Sequence, residues 1–342
     1  MEPAAAASSL RSLLPSLSSL RVSRFRLRQL EAVTLIREER ENGKQALAYN
    51  ARPFVLCGLP LRPPPKDQLT YTRRNGKFFL DITGHPRFGV PFGQDRLIPI
   101  WVATLAVQQK SRIVRFDSAA QMLDFFRLSK DGRHYRRIVK GFQRVFAATI
   151  FFGTDDERGG NRIADWARFH FFERIRLWFH YNGQPAPADD TAENTITLSE
   201  AFYKEIDTHR IPVEREVIAA FANAPGVLDF YLWLVWKSWA VNGIPAFVPL
   251  FTSSGLNSQL GTRQYPARRF RQLIGQWLRK VKALWPECPA EISQDGHRLI
   301  VKSSRACPAV RAAEKAVIHG PATRDSGYGK GRSSRESVYA RT

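Results

Sequence analysis

Cysteine is scarce in this 342-residue chain: Cys57, Cys288 and Cys307 are the only three. An odd count without metal-ligand spacing argues against a disulfide framework and a thiolate zinc site, and points to buried or incidental thiols in a reducing cytosol. Long apolar runs are missing too. The most apolar stretch, Val227 to Val241, is interrupted by Asp229 and Lys237, so the sequence predicts a buried core helix there and no transmembrane span. There is no G-x-x-x-x-G-K-[ST], hence no ATP-binding P-loop of that kind. The seven histidines are scattered without a His-x-His pair, and Asp155-Asp156 and Asp189-Asp190 fall in predicted loops, where solvated charge explains them. No paired carboxylates with plausible two-metal spacing stand out. Trp233, Trp236 and Trp239 read as core residues. The expectation is a protein that is not an enzyme and uses no cofactor or metal.

Acidic residues are also in short supply. Lys and Arg outnumber Asp and Glu by 52 to 31, a formal net charge of +21. Such an excess opposes compaction through self-repulsion but lowers the cost of approaching a polyanion. Nucleic acid is the first candidate partner, and an anionic membrane surface the rival.

The first 30 residues are rich in Ala, Ser and Leu, with Arg11, Arg21, Arg24, Arg26 and Arg28 and a single acid, Glu2. By composition this resembles an organellar transit peptide. A disordered basic arm, common in nucleic-acid binders, is the preferred reading; a start codon placed too far upstream is another. Residues 1–46 are assigned to this arm, with one charged helix at Arg24 to Glu41. Residues 308–342 are Gly-, Ser- and Arg-rich without periodicity and read as a disordered basic tail.

Between the ends, one order of elements occurs twice. Arg62-Pro63-Pro64-Pro65-Lys66 is a loop, and a β-ribbon follows around Asn75-Gly76. A helix is predicted from Asp95 to Gln109, a strand from Arg112 to Phe116, a helix capped by Asp117 or Ser118, and a helix from Gly132 to Ala148. Strands at Ala148–Phe152 and Arg168–Phe179 flank a polar loop, Gly153 to Trp166. Gln184 to Asp190, with Pro185 and Pro187, reads as a boundary. Helices are then predicted at Val213–Asn223 and Val227–Asn242, a strand at Phe247–Phe251, a short helix at Leu256–Leu260 and a long one from Pro266 to Trp285. A hairpin closes around Asp295-Gly296. The expected fold class is α+β: two tandem winged-helix domains, at 47–182 and 209–307, joined by a linker at 183–208.

Two helices carry the candidate chemistry. In the first, Ile138, Phe142, Val145, Phe146 and Thr149 form an apolar stripe, and Arg133, Arg136, Arg137, Lys140 and Arg144 occupy the other side. Ordinary surface helices mix acids with bases, but Asp131 is the only acid from Arg127 to Arg144. In the second, Arg263, Arg268, Arg269, Arg271, Arg279, Lys280 and Lys282 occur without an acid. Its stripe is Phe270, Leu273, Ile274, Trp277, Val281 and Leu284, with Arg268, Arg271, Gln272, Arg279 and Lys282 projecting away. Both helices are recognition-helix candidates; Arg suits guanine edges and Gln adenine edges, which makes the second the sharper major-groove reader. Arg158, Arg162, His297 and Arg298 on the two predicted wings are candidate contacts to DNA backbone or minor groove.

Several words of the sequence match a known family. Tyr71-Thr72-Arg73-Arg74-Asn75-Gly76-Lys77, Gly89-Val90-Pro91-Phe92-Gly93, Arg96-Leu97 and Trp101-Val102-Ala103-Thr104-Leu105-Ala106 form one set. Leu228-Asp229-Phe230-Tyr231-Leu232-Trp233-Leu234, Leu260-Gly261, Arg269-Phe270, Leu278 and Val301-Lys302-Ser303-Ser304 form the other. Residues 47–106 and 225–304 thereby resemble the RepA family of plasmid replication initiators. The resemblance implies binding to repeated sites in double-stranded plasmid origin DNA, local duplex opening, recruitment of the host initiator and replicative helicase, and a cytoplasmic, nucleoid-associated location without membrane contact. A homodimer is compatible with the sequence. The alternatives are a winged-helix transcriptional repressor, autoregulatory or not, and a nicking replication enzyme.

Overall fold

A computed structural model describes residues 24–158, 161–176, 194–241, 243–262 and 265–304. The predicted tail, the Gln184–Asp190 boundary and Cys307 lie outside the described residues. Helix α1 (Arg24–Glu41) is followed by strand β1 (Leu47–Ala51) and the short helix α2 (Arg52–Leu56). Ile36 of α1 is buried, and the Arg40 guanidinium donates to both oxygens of Glu214 at 2.9 and 3.0 Å. The arm assignment is therefore corrected for residues 30–46, which are tied to the core by an apolar contact and a bidentate ion pair.

The ribbon forms as β2 (Thr70–Asn75) and β3 (Phe78–Thr83), in antiparallel register from Thr70↔Thr83 to Asn75↔Phe78. A 3-10 turn (Gly93–Arg96) then leads into α3 (Leu97–Gln109). Every residue of α3 from Leu97 to Ala106 is buried, because the helix lies between β1, β4 (Ile113–Phe116), α5 (Gly132–Ala147) and α6 (Glu200–His209). After α4 (Ala119–Phe125) and α5, the chain turns directly into β5 (Thr149–Arg158) and β6 (Asn161–His170).

The expected polar loop at 153–166 is instead the outer part of this hairpin, paired from Thr149↔His170 to Arg158↔Asn161. Composition misled here, since polar residues satisfy an antiparallel ladder as well as apolar ones do. The hairpin joins the ribbon in a four-stranded sheet, β2-β3-β5-β6. The expected linker also requires correction. Its residues 194–198 are strand β8 (Asn194–Leu198), bonded between β4 and β7 (Phe172–Arg176). Helix α6 follows, with Phe202 and Ile206 fully buried and Ser199 Oγ accepting from the Phe202 amide. Thr195-Ile196-Thr197-Leu198 alternates as a strand should, and Ser199 is a normal N-cap.

The remaining elements are β9 (Arg210–Glu214), which pairs with β1, α7 (Arg215–Phe221), α8 (Pro225–Ala240), β10 (Ala246–Pro249), α9 (Leu256–Gln259), α10 (Ala267–Leu284), β11 (Ala290–Ile292) and β12 (Arg298–Val301). The last strands form the sheet β10-β12-β11. The helix predicted at Val213–Asn223 thus starts two residues later, behind a strand. Helix α8 is the buried core helix expected from its composition, although Trp239 at its end is 45% exposed and not core. Buried apolar residues from Ile36 to Val301 form one continuous cluster, so the α+β architecture is built around a shared core.

Candidate nucleic-acid interface

Helix α10 buries Phe270, Ile274, Trp277, Leu278, Val281 and Leu284. This 3.6-residue stripe is satisfied by α8 and β11 and forces the other positions outward. Arg268, Arg269, Arg271, Gln272, Gln276, Arg279 and Lys280 are exposed, and Lys282 is half-buried. Among the described residues, Arg268, Arg269, Arg279 and Lys280 have no acidic partner, so a phosphate meets no competing internal pair there.

Arg271 is held in place. Its guanidinium stacks 5.2 Å from the Phe251 ring, and Nη2 lies 3.3 Å from His297 Nδ1. That contact joins the helix to the turn between β11 and β12. The turn is tied internally: Ser293 Oγ and the His297 amide both donate to Asp295 Oδ1, at 2.5 and 2.9 Å. These bonds hold the Asp295 carboxyl below its ordinary value. His297 and Arg298 are exposed where the turn runs into β12, and Arg263 lies outside the described residues.

Helix α5 is capped by Asp131, whose Oδ1 accepts from the Arg133 and His134 amides at 2.9 Å each. The His134 amide, the His134 ring and Ser129 together hold the Asp131 carboxyl well below the usual carboxylate range. The one acid near this face is thus used as a cap. Arg133, Arg136, Arg137 and Lys140 are exposed.

Arg144 leaves the proposed basic face. Its Nε and Nη2 donate to the two oxygens of buried Asp95 at 2.6 and 2.8 Å, with the guanidinium 4.6 Å from the Phe92 ring. Helical phase alone groups Arg144 with Arg137 and Lys140; the 3-10 turn packed against α5 decides otherwise. Arg158 and Arg162 sit at the hairpin end and are described through their backbones only, with register Glu157↔Arg162 and Arg158↔Asn161.

Residues that had been only words of a resemblance meet at one buried node. Asp229 of α8 takes Arg73 of β2 on Oδ2 at 3.3 Å, and Arg96 on Oδ1. Arg96 Nη2 also donates to the Leu59 and Pro60 carbonyls at 3.0 and 2.9 Å. Arg73 Nε donates to the Gln259 carbonyl at 2.8 Å, and Gln259 Oε1 accepts from Trp233 Nε1 at 3.0 Å. Gly261 adopts φ +63°, and a Cβ there would lie 2.8 Å from the Tyr71 hydroxyl. The sequence reading missed this node because its members lie far apart in the chain.

The two remaining cysteines are inert by environment: burial pushes the Cys57 thiol up to about 12 and that of Cys288 to about 11. No helix among the described residues is long and apolar enough to cross a membrane, and no group of three or more potential ligand side chains is placed to hold a metal ion among them.

The described residues form a mixed helix-and-sheet protein with two acid-poor helices, each leading into a β-ribbon. Residues 90–244, a little under half of the chain, match the family model described as plasmid encoded RepA protein. The match contains the words from Val90 to Ala106 and from Leu228 to Leu234, together with all the sequence between them. Two crystal structures of domains 2 and 3 of RctB, one a selenomethionine derivative, are 14% identical to it. They align over 69% of this chain and 84% of theirs, and over 70% and 92%, each with a TM-score of 0.44. No curated protein matches the sequence.

Proposed function

We propose that this chain is a plasmid replication initiator that binds repeated sites in origin DNA through two winged-helix units, promotes local opening and recruits the host initiator and helicase. The observation that carries the reading is the face of α10, which offers arginines and glutamines to solvent without acidic partners. The order α8, β10, α9, α10, β11, β12 supports one winged-helix unit over residues 225–301, with α10 in the recognition position. The order α3, β4, α4, α5, β5, β6 supports the other, in modified form, since β4 bonds β8 and the hairpin joins the outer ribbon. The reading assigns no catalytic step to the chain and places it in the cytoplasm with the plasmid.

A footprint on the parent plasmid tests it directly. Protection of spaced repeats is expected, together with failure of the origin fragment to replicate when the protein is withheld. Protection confined to a promoter, with replication intact, would convert the reading to that of a repressor. A strand-specific nick in supercoiled origin DNA with Mg²⁺ would overturn the non-enzymatic assignment.

A further inference from the structure

Outside the helix faces, one surface of the protein is built from rings. Residues directly opposite in an antiparallel sheet share a face. In β2-β3-β5-β6 one such row is Arg74, Phe79, Gly153 and Trp166, and the next is Thr72, Asp81, Phe151 and Arg168. The other side of the sheet, with Leu80, Ile82, Ile150, Phe152 and Phe169, is buried in the core. The ring-bearing side meets solvent through Thr72, Arg74, Trp166 and Arg168, which are exposed, while Phe151 is half-buried and Phe79 is buried beneath them.

Trp166 leaves 54% of its surface uncovered. Its ring lies 5.6 Å from Phe151 and 6.4 Å from Phe79, which are themselves 5.5 Å apart. Gly153 makes this possible. A Cβ there would lie 2.8 Å from Trp166 Cδ1 and 2.4 Å from the Asp165 carbonyl oxygen, so any side chain would displace the indole. The Arg74 guanidinium sits 5.5 Å from the centre of the Phe79 ring, and Arg168 stands opposite Phe151. The acids on this side are Asp81, half-buried between strands, and Asp155 and Glu157 towards the hairpin end, where Glu157 stands opposite Arg162.

We propose that this face binds an unpaired DNA strand, whose bases stack on exposed Trp166, with half-buried Phe151 beside it and buried Phe79 supporting the indole, while Arg74 and Arg168 hold phosphates. Every base has a π-face, so a ring platform beside cations takes single strands with little regard to sequence. Bases inside a duplex are stacked on one another and present no such face. The guanidinium groups on two sides of the ring cluster, in a chain of net charge +21, favour a polyanion over an apolar protein surface. The site goes beyond the duplex-binding reading and is separable from it, because it lies on the sheet and not on α5 or α10.

The experiment uses the full chain, a labelled 20-nucleotide oligothymidine and, in parallel, an origin duplex, with binding read by fluorescence anisotropy. Trp166→Ala is expected to weaken oligothymidine binding about tenfold and leave duplex binding unchanged; Trp166→Phe is expected to keep most of the single-strand affinity. Arg271→Ala is expected to do the reverse, weakening the duplex alone. Undiminished oligothymidine binding by Trp166→Ala overturns the proposal, as does equal loss with both DNAs. If Trp166→Ala instead changes only the sedimentation of the chain, the face is a contact between copies and the proposal fails. Oligothymidine binding that depends on Trp166, in a chain that ignores the origin duplex, supports this site and overturns the duplex reading.

Discussion

Helices α5 and α10 both lack acids on their basic faces and both lead into a β-ribbon, yet α5 gives up Arg144 to Asp95 while α10 keeps Arg279 and Lys280 at the surface. The ribbons differ as well. The one after α10 closes a three-stranded sheet with β10, and its turn contacts Arg271. The one after α5 is drawn into the β2-β3 ribbon, where one face is core and the other carries Trp166. Similar local patterns therefore serve different ends. The exposed remainder of α5 is Arg and Lys with Gln143 and Phe146, beside half-buried His134, a surface suited to holding phosphates more than reading bases. Helix α10 adds Gln272 and Gln276 and a pre-positioned Arg271, suited to reading bases. The segments carrying α5 and α10 share one core and the Arg73–Asp229–Arg96 node, so packing, not a flexible tether, sets the spacing between these two helices.

The most severe way to break the comparison is to cut that node. Asp229→Ala leaves two buried guanidinium groups without their carboxylate and is expected to cost about 3–5 kcal/mol, read as a lower denaturant midpoint. A loss below about 1 kcal/mol would show that the node does not hold the halves together. Arg144→Ala comes next. It strands the buried Asp95 carboxylate and should lower stability by about 1.5–3 kcal/mol, with the salt dependence of DNA binding unchanged.

On α10, Arg271→Ala or Gln272→Ala should relax preference at particular base pairs by roughly 1–3 kcal/mol each in competition with single-base variants of one repeat. Lys140→Ala on α5 should weaken all sequences alike and reduce the salt slope by about 1. The parent slope of log K against log[salt] should be near −7 if roughly eight phosphates are neutralised. A base preference that moves with Lys140, and with neither α10 substitution, would reverse the assignment of reader and anchor.

The smallest effect is at the α5 cap. Asp131 has a lowered carboxyl pKa in the folded chain, so its contribution is present above the unfolded value and fades as pH falls through the folded one. Asp131→Ala should therefore melt slightly earlier than the parent at neutral pH, and the gap should close in strong acid.

Much of this was legible in the chain because it depends on neighbours. The stripe of α10, the Asp131 cap, the ribbon at Asn75-Gly76 and the buried α8 follow from residues within one or two turns of each other. The α6 cap at Ser199 and the alternation of β8 were also present, but the Pro-rich stretch just before them dominated the reading as a linker. Trp166 was hidden by composition, since it stands among Asp, Arg and Ala, and only its pairing with Gly153 puts it beside Phe79 and Phe151.

The sequence by itself determined which helices are amphipathic, where acids are withheld, and that the chain carries an excess of positive charge. Only the tertiary structure decided which arginines that charge comes from. Arg73, Arg96 and Arg144 look in sequence like Arg268 or Arg279, but their carboxylates stand 156, 133 and 49 residues away. Helical phase and composition act over a few residues, whereas burial of a charge is set by whatever the fold brings against it. An arginine becomes a structural ion pair or a free cation for DNA only when that distant partner arrives or does not.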